Sequence, residues 1–375
     1  MTGKTGTQKA SSIMDYAVIM AGGSGKRLWP LSRQKRPKQV LKLLDGQTLL
    51  RKCFERLEGI FDLRNILVLT NADYVDMVRE NLTELPEENV IAEPAVRDTA
   101  SAIGLAATIL HKYDTNATMA VVTADQILEP KEKFQEAMQT AVSFVNENPQ
   151  ALVTFGIQPT FASTQLGYIQ FGKAVSCNAS PDAVHHIKAF KEKPDLQTAE
   201  NYLQQGNYAW NSGMFVWRCE TILQQIANFL PEAVEPLQNI QTDWGSSIQQ
   251  QTLQEWFPKL PKISIDYGIM EKADTVYGIS LDCRWLDMGS FASLVDIIEA
   301  DSNNNCIVSD HSELLDSKNN IIVTEEKGHM IALVGVENMI VAHTKDATLV
   351  CSTDHANRLK ELLDGIQEHK GESFL

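Results

Sequence analysis

The residues best suited to chemistry lie in one stretch near the start of the chain. Gly22, Gly23 and Gly25 form a turn after the apolar run Tyr16–Met20, and Lys26, Arg27, Arg33, Lys35, Arg36, Lys38 and Lys42 follow. Glycine permits backbone dihedrals other residues resist and lets the main chain come close to a bulky anion. Exposed N–H groups in such a turn cradle phosphate oxygens, and arginine and lysine neutralise them. The formal charge of the whole chain is −15, so this cationic cluster runs against the overall balance. The pattern points to a polyphosphate site. Any one of Lys26, Arg33, Lys35 and Arg36 is as well suited to solvent as to a ligand.

Other residues offer parts of the same chemistry. Asp125 follows the apolar run Met119–Thr123, and in α/β sheets ligands sit beyond the carboxyl ends of strands; an aspartate there can equally cap a loop. Glu192 and Lys193 are adjacent on an extended segment that Pro194 ends. Side chains alternate faces on a strand, so both reach one ligand only if the segment twists or stops. Glu93, Arg97, Asp98 and Thr99 precede a helical pattern, where free backbone N–H groups are expected. The chain offers no convincing nucleophile–histidine pair.

Two familiar phosphate motifs fail. A P-loop needs Ser or Thr after Gly-Lys, but Arg27 follows Gly25-Lys26, and the leading glycine position is Met20. A dinucleotide fingerprint needs a third glycine where the chain has Leu28; Asp45 is at about the right distance for the acidic residue but sits in a turn-like Asp-Gly. A third pattern fits. Ala21-Gly-Gly-Ser-Gly-Lys-Arg-Leu-Trp-Pro-Leu-Ser-Arg33 with Arg36-Pro-Lys-Gln39 resembles the signature loop of the mannose-1-phosphate guanylyltransferases, which are sugar nucleotidyltransferases. Glu93-Pro-Ala-Val-Arg-Asp-Thr-Ala100, Phe190-Lys-Glu-Lys-Pro194, Trp210-Asn-Ser-Gly-Met-Phe215, Ser264–Glu271 and Trp285-Leu-Asp-Met-Gly-Ser290 are similar to further blocks in the same order. The tail Val334–Val341 is similar too, so the resemblance covers about 16–351, in the family's short form. The chain departs from the family at Thr123 and Gln126 around Asp125, at Ser101 after Thr99-Ala100, at Leu166 before Gly167, and at Phe291.

The resemblance implies a reaction of GTP with mannose 1-phosphate that gives GDP-mannose and pyrophosphate. It implies nucleotide binding by Gly22, Gly23, Gly25, Arg27, Lys38, Glu93, Arg97 and Thr99, with Arg27, Lys38 and Asp125 catalytic. It implies sugar-phosphate binding by Gly167, Glu192, Lys193 and Asn211, and a Mg²⁺ ion on Asp125 and Asp287. One or two carboxylates with phosphate oxygens and water suit Mg²⁺. Related expectations are another sugar 1-phosphate or base as substrate, or a non-catalytic regulator that binds a GDP-sugar. A nicotinamide dehydrogenase is the distant third.

The elements that must hold these residues alternate. Strand-like runs (Asn65–Thr70, Asn89–Ala92, Thr118–Thr123, Leu152–Ile157) interleave with helical patterns (Asn71–Asn81, Asp98–Lys112, Pro130–Val145). That alternation predicts an α/β fold with a doubly wound, mostly parallel, Rossmann-like sheet of the nucleotidyltransferase type. Residues 1–14 are polar and read as a disordered tail, 15–300 as the catalytic domain, and 301–375 as a small β-structured C-terminal domain closed by a helix. The sequence shows no internal repeat. At 375 residues the core can be large. The acidic balance argues against nucleic acid, and no apolar run reaches the length of a membrane span. Six scattered cysteines fit neither a zinc site nor a disulfide framework. A cytoplasmic enzyme is expected, with a homodimer built on the β tail.

Overall fold

The computed structural model describes residues 15–23, 25–42, 46–177 and 183–375. The polar tail and Asp45 lie outside the described residues. The chain forms two compact units. The first takes in the described residues of Met1–Ala17, Arg97–Val121 and Met138–Ser280; the second takes in those of Val18–Val96, Val122–Ala137 and Leu281–Leu375.

The strands in chain order are β1 Asp15–Met20, β2 Ile66–Asn71, β3 Val90–Glu93, β4 Thr118–Thr123, β5 Gln126–Glu129, β6 Leu152–Ile157, β7 Tyr168–Val175, β8 Val184–Lys191 and β9 Tyr208–Arg218. After them come β10 Val276–Ser280, β11 Arg284–Asp287, β12 Cys306–Val308, β13 His311–Leu315, β14 Ile321–Thr324, β15 Met330–Val334, β16 Met339–His343 and β17 Thr348–Ser352.

In the first unit the strand order runs β4, β9, β6, β10, β8, β7. Here the expected mostly parallel sheet gives way to a mixed one. β6 and β10 are parallel, but β9 runs antiparallel to both β4 and β6, and β8 runs antiparallel to both β10 and β7. Of these antiparallel pairs only β7 and β8 are consecutive in the chain, where a short connection allows that direction; β9 reaches β4 and β6, and β10 reaches β8, from far along the sequence. The helix Thr99–Tyr113 starts where the Asp98 carboxylate accepts from the Thr99 N–H at 2.8 Å, a capping bond that satisfies one of the helix's free donors. Residues 100–110 of that helix are buried all round, which is why its sequence lacks a polar face. The helix Val234–Asp243 was not expected from the sequence.

In the second unit β3, β2 and β1 lie in that order, with β2 and β3 parallel. β5 and β11 form a two-stranded antiparallel ribbon in which Asp287 faces Gln126. The C-terminal strands make a coil: β12, β14 and β16 stack in parallel with Cys306, Ile321 and Ile340 in register, and β13 pairs β15 in parallel. β17 closes the first stack antiparallel to β16. The polar breaks at Asn303–Asn305 and Lys318–Asn320 are the corners of this coil. Asn304, Asn319 and Asn338 all adopt positive φ there, a conformation asparagine tolerates better than most residues. The structure therefore corrects the expectation of no repeat: Asn304-Asn-Cys-Ile-Val308, Asn319-Asn-Ile-Ile-Val323 and Asn338-Met-Ile-Val341 are successive corners and strands. Turns of unequal length between them hide the period.

The coil shares one core with the segment after the glycine turn. Leu28, Trp29, Leu31 and Leu41 pack in a single buried cluster with Ile321, Val323, Ile340, Ala342, Leu349, Leu359 and Leu363.

Candidate active site

The second unit gathers the glycine turn, Lys38, Asp125, Asp287 and Glu93. β1 delivers the turn; the Ala21 N–H donates to the Leu69 carbonyl at 2.8 Å and anchors its first residue. Gly25 has φ 68°, and a Cβ placed on it would stand 2.6 Å from the Lys38 Cβ. Glycine is required there on both counts, conformation and space. Ser32 Oγ donates to the Gly25 carbonyl at 2.5 Å, so the two ends of the 32–38 segment both close on one glycine. Gly22 lies against Glu93 and Gly23 against Gln39, with added Cβ atoms at 3.4 and 3.5 Å from their side chains.

Lys38 Nζ reaches Asp125 Oδ2 at 2.5 Å. Burial presses the Lys38 ammonium down, but Asp125 and Asp287 outweigh it and leave its pKa above the ordinary lysine value. Burial likewise opposes the charge on Asp125, and Lys38 overcomes it, holding that carboxyl below its usual range. The Met288 N–H donates to the Asp125 carbonyl at 3.0 Å, fixing the two aspartates' backbones together. A Cβ on Gly289 would approach Asp287 Oδ2 to 3.0 Å, so that glycine leaves the carboxylate room. Among the described residues no group of three or more His, Cys, Asp or Glu could hold a metal alone. Two aspartates that both act on the Lys38 charge are donors of the kind a divalent ion takes together with phosphate oxygens. Arg27 is exposed on the single helical turn Lys26–Leu28. Glu93 is buried, and burial pushes its carboxyl up to about 7.

A second constellation belongs to the first unit. β8 ends at Lys191, so Glu192 and Lys193 lie just past it. Lys193 takes φ 45°, and its ammonium pairs with the Glu192 carboxylate. This answers the alternation problem: a left-handed residue turns the two neighbours the same way. A side chain on Gly167 would run into the Glu192 carboxylate. The Asn211 N–H donates to the Gly167 carbonyl at 2.8 Å. The Asn211 carboxamide is itself held: its Oδ1 accepts from Thr154 Oγ1 at 2.8 Å and its Nδ2 donates to Asp266 Oδ1 at 2.9 Å. Asp266, in the quoted Ser264–Glu271 block, was not singled out by sequence. Burial and then the Glu192 charge push its carboxyl up to about 7. Glu271 Oε1 accepts the Glu192 N–H at 2.8 Å and so fixes the same turn.

Arg97 and Thr99 also belong to the first unit. Thr99 Oγ1 accepts from the Ile265 N–H at 2.8 Å, and the Ala100 N–H donates to the Ile263 carbonyl at 3.2 Å. This helix start is tied to the segment that carries Asp266. Arg97 is half-buried with an unpaired Nε.

Comparison with known proteins gives consistent results. Residues 16–304 match the family model described as nucleotidyl transferase, and 310–366 match one described as a MannoseP isomerase/GMP-like beta-helix domain. A mannose-1-phosphate guanylyltransferase from Klebsiella pneumoniae is 35% identical over 361 residues, 95% of this chain and 75% of that protein. One from Escherichia coli K12 is 34% identical over 366 residues, again 95% and 75%. A crystal structure from Thermus thermophilus, named as a mannose-1-phosphate geranyltransferase, superposes with TM-score 0.83 at 31% identity, covering 95% of this chain and all of that one.

Proposed function

Since the chain belongs to the nucleotidyl transferase family, as a relative of the mannose-1-phosphate guanylyltransferases, we propose that it converts GTP and mannose 1-phosphate into GDP-mannose and pyrophosphate. A phosphate monoester has a second pKa of about 6, so the nucleophile is already ionised at neutral pH. No general base is needed. An oxygen of the sugar phosphate bonds to the α-phosphorus of GTP as the bond to the bridging oxygen breaks, and pyrophosphate leaves with that electron pair. The enzyme's task is to overcome repulsion between two polyanions, hold them in line, and stabilise the leaving charge.

One observation carries the chemistry: Lys38 packs against Gly25 and pairs with Asp125 at 2.5 Å. A lysine fixed under a glycine turn puts a cation where a triphosphate's charge gathers. The glycine turn and exposed Arg27 would hold the β- and γ-phosphates, with Arg27 and Lys38 steadying the leaving group. By the resemblance, Glu93 of the second unit and, separately, Arg97 and Thr99 of the first are assigned to nucleotide binding. Asp125 and Asp287 would hold Mg²⁺, which when bound neutralises phosphate oxygens. Glu192 would accept from sugar hydroxyls, Lys193 would pair with the sugar phosphate, and Gly167 gives backbone access. Asn211 and Asp266, bonded to each other, would complete the sugar end. In this scheme 15–300 is the catalytic part and 301–375 the β-structured part of a cytoplasmic homodimer. Among the described residues no helix is long and apolar enough to cross a membrane, and the acidic surface is unsuited to nucleic acid.

The test is a panel of nucleotides and sugar 1-phosphates scored by pyrophosphate release, with and without Mg²⁺. GTP with mannose 1-phosphate should lead, and EDTA should abolish turnover. Preference for another pair would reassign the substrate. Tight GDP-mannose binding without any pyrophosphate would make the chain a sensor.

A further inference from the structure

Arg33 and Arg36 lie between two residues that touch Gly25, and both are engaged by the C-terminal coil. The Arg33–Arg36 segment is a tight turn, with the Arg33 N–H to the Arg36 carbonyl at 2.8 Å and the reverse bond at 3.0 Å. Every nitrogen of the Arg33 guanidinium has a partner. Nε donates to the Pro30 carbonyl at 2.9 Å, one terminal nitrogen donates to the Phe374 carbonyl, and the other meets Thr344 Oγ1 at 3.2 Å and Asp346 Oδ1 at 2.6 Å. The Arg36 guanidinium pairs with the Glu325 carboxylate, whose Oε1 also accepts the Lys42 N–H at 3.4 Å. Glu325 and Asp346 thus grip the loop on both sides of Lys38.

We infer that Glu325 and Asp346 are positioning residues for catalysis: through Arg36 and Arg33 they brace the 32–42 segment so that Lys38 stays between Gly25 and Asp125. The inference rests on the nucleotidyl-transfer reading above and adds a role for the coil. Each pair keeps one partner open to solvent (Asp346, Arg36), and such ion pairs add little to stability, so pairs that matter only for the fold would leave turnover alone. Placement of a catalytic cation is a different matter, because a displacement of about 1 Å can slow a reaction about a hundredfold.

The test is a charge exchange with Arg36→Glu, Glu325→Arg and the double variant, followed by Asp346→Asn. Each single change should lower kcat by about ten- to a hundredfold, with KM for mannose 1-phosphate and the melting temperature near wild type. The double exchange should restore kcat to within about threefold, as expected of partners that act mainly through each other, the long Lys42 N–H bond to Glu325 being the part not recovered. Single variants with wild-type kcat, or a double variant no faster than the singles, would overturn the brace. Where a reversal fails to fold, Asp346→Asn decides: a comparable fall in kcat supports the brace and an unchanged kcat overturns it. If the wild-type chain makes no GDP-mannose, the functional reading fails by itself. The brace is then judged by equilibrium GTP binding, which the single variants should weaken and which, unchanged, would refute it.

Discussion

Gly25 and Glu93 are the two residues whose surroundings make the sharpest demands. At Gly25 an added methyl group meets the Lys38 stem at 2.6 Å with the backbone at φ 68°. Gly25→Ala should therefore destabilise the fold by about 1 kcal/mol or more, and lower kcat further by pushing Lys38 away from Asp125. Chemical denaturation and steady-state kinetics on the same variant separate the two effects. Glu93 has its carboxyl raised to about 7 by burial, against the ordinary value near 4.5. Between those values the folded chain binds a proton that the unfolded chain has lost. Stability from this group is whole below about pH 4.5, falls as pH rises toward 7, and levels off above it, a loss of roughly 3 kcal/mol at most. Asp266 adds a loss of the same sign. Glu93→Gln should flatten part of the slope in denaturation midpoints between pH 5 and 8; an unchanged slope would mean Glu93 ionises normally. At this scale the sequence was legible where chemistry is local. Gly22, Gly23, Gly25 and Lys38 sit within one short run whose types suit an anion. Asp287 came only through resemblance, and Asp266, Glu325 and Asp346 were missed because nothing near them in sequence shows their partners.

The coil is held by buried amides. Asn305 and Asn320 are both fully buried. Asn320 Nδ2 donates to Asn305 Oδ1 at 2.9 Å and to the Val336 carbonyl at 3.0 Å, and its Oδ1 accepts the Met339 N–H at 3.0 Å. One side chain thus links the Asn305 side chain of the layer before to main-chain groups of the layer after, and Met339, at the next corner, ends the ladder. Asn320→Ala would strand these groups out of water, at about 1–3 kcal/mol for each left unmet. A fall of several degrees in melting temperature is expected; a change within error would show that water takes over the bonds. Strands with continuous apolar runs, such as Thr118–Thr123, were readable at this scale. Their direction was not, because pairing joins segments far apart in sequence, and so β9 between β4 and β6 made the sheet mixed. Helix Val234–Asp243 was missed for a local reason: Pro236 falls in its first turn, where proline is tolerated, but in a sequence it reads as a break.

At the scale of the molecule, the coil leaves Leu315, Met330, Val334 and Val350 exposed at 57–69% of their surface. Apolar side chains grouped on exposed strands commonly mark a contact surface. The proposed homodimer predicts light scattering at about twice the 41.8 kDa of one chain, and Val334→Glu should shift it to the monomer; a wild-type monomer at micromolar concentration ends that proposal. The division of labour in the second unit was hidden from the sequence, where the tail reads as a separate appendage. Leu28, Trp29, Leu31 and Leu41 have their apolar partners as late in the chain as Leu363. The order of synthesis makes this consequential. A ribosome that has finished the glycine turn must still polymerise most of the polypeptide before the floor under that turn exists. Translation products that end after Asp287 but short of Leu363 would carry every side chain proposed for the phosphates and still lack part of the core that Leu28, Trp29, Leu31 and Leu41 pack into, so late termination should silence the protein instead of releasing a half-competent fragment.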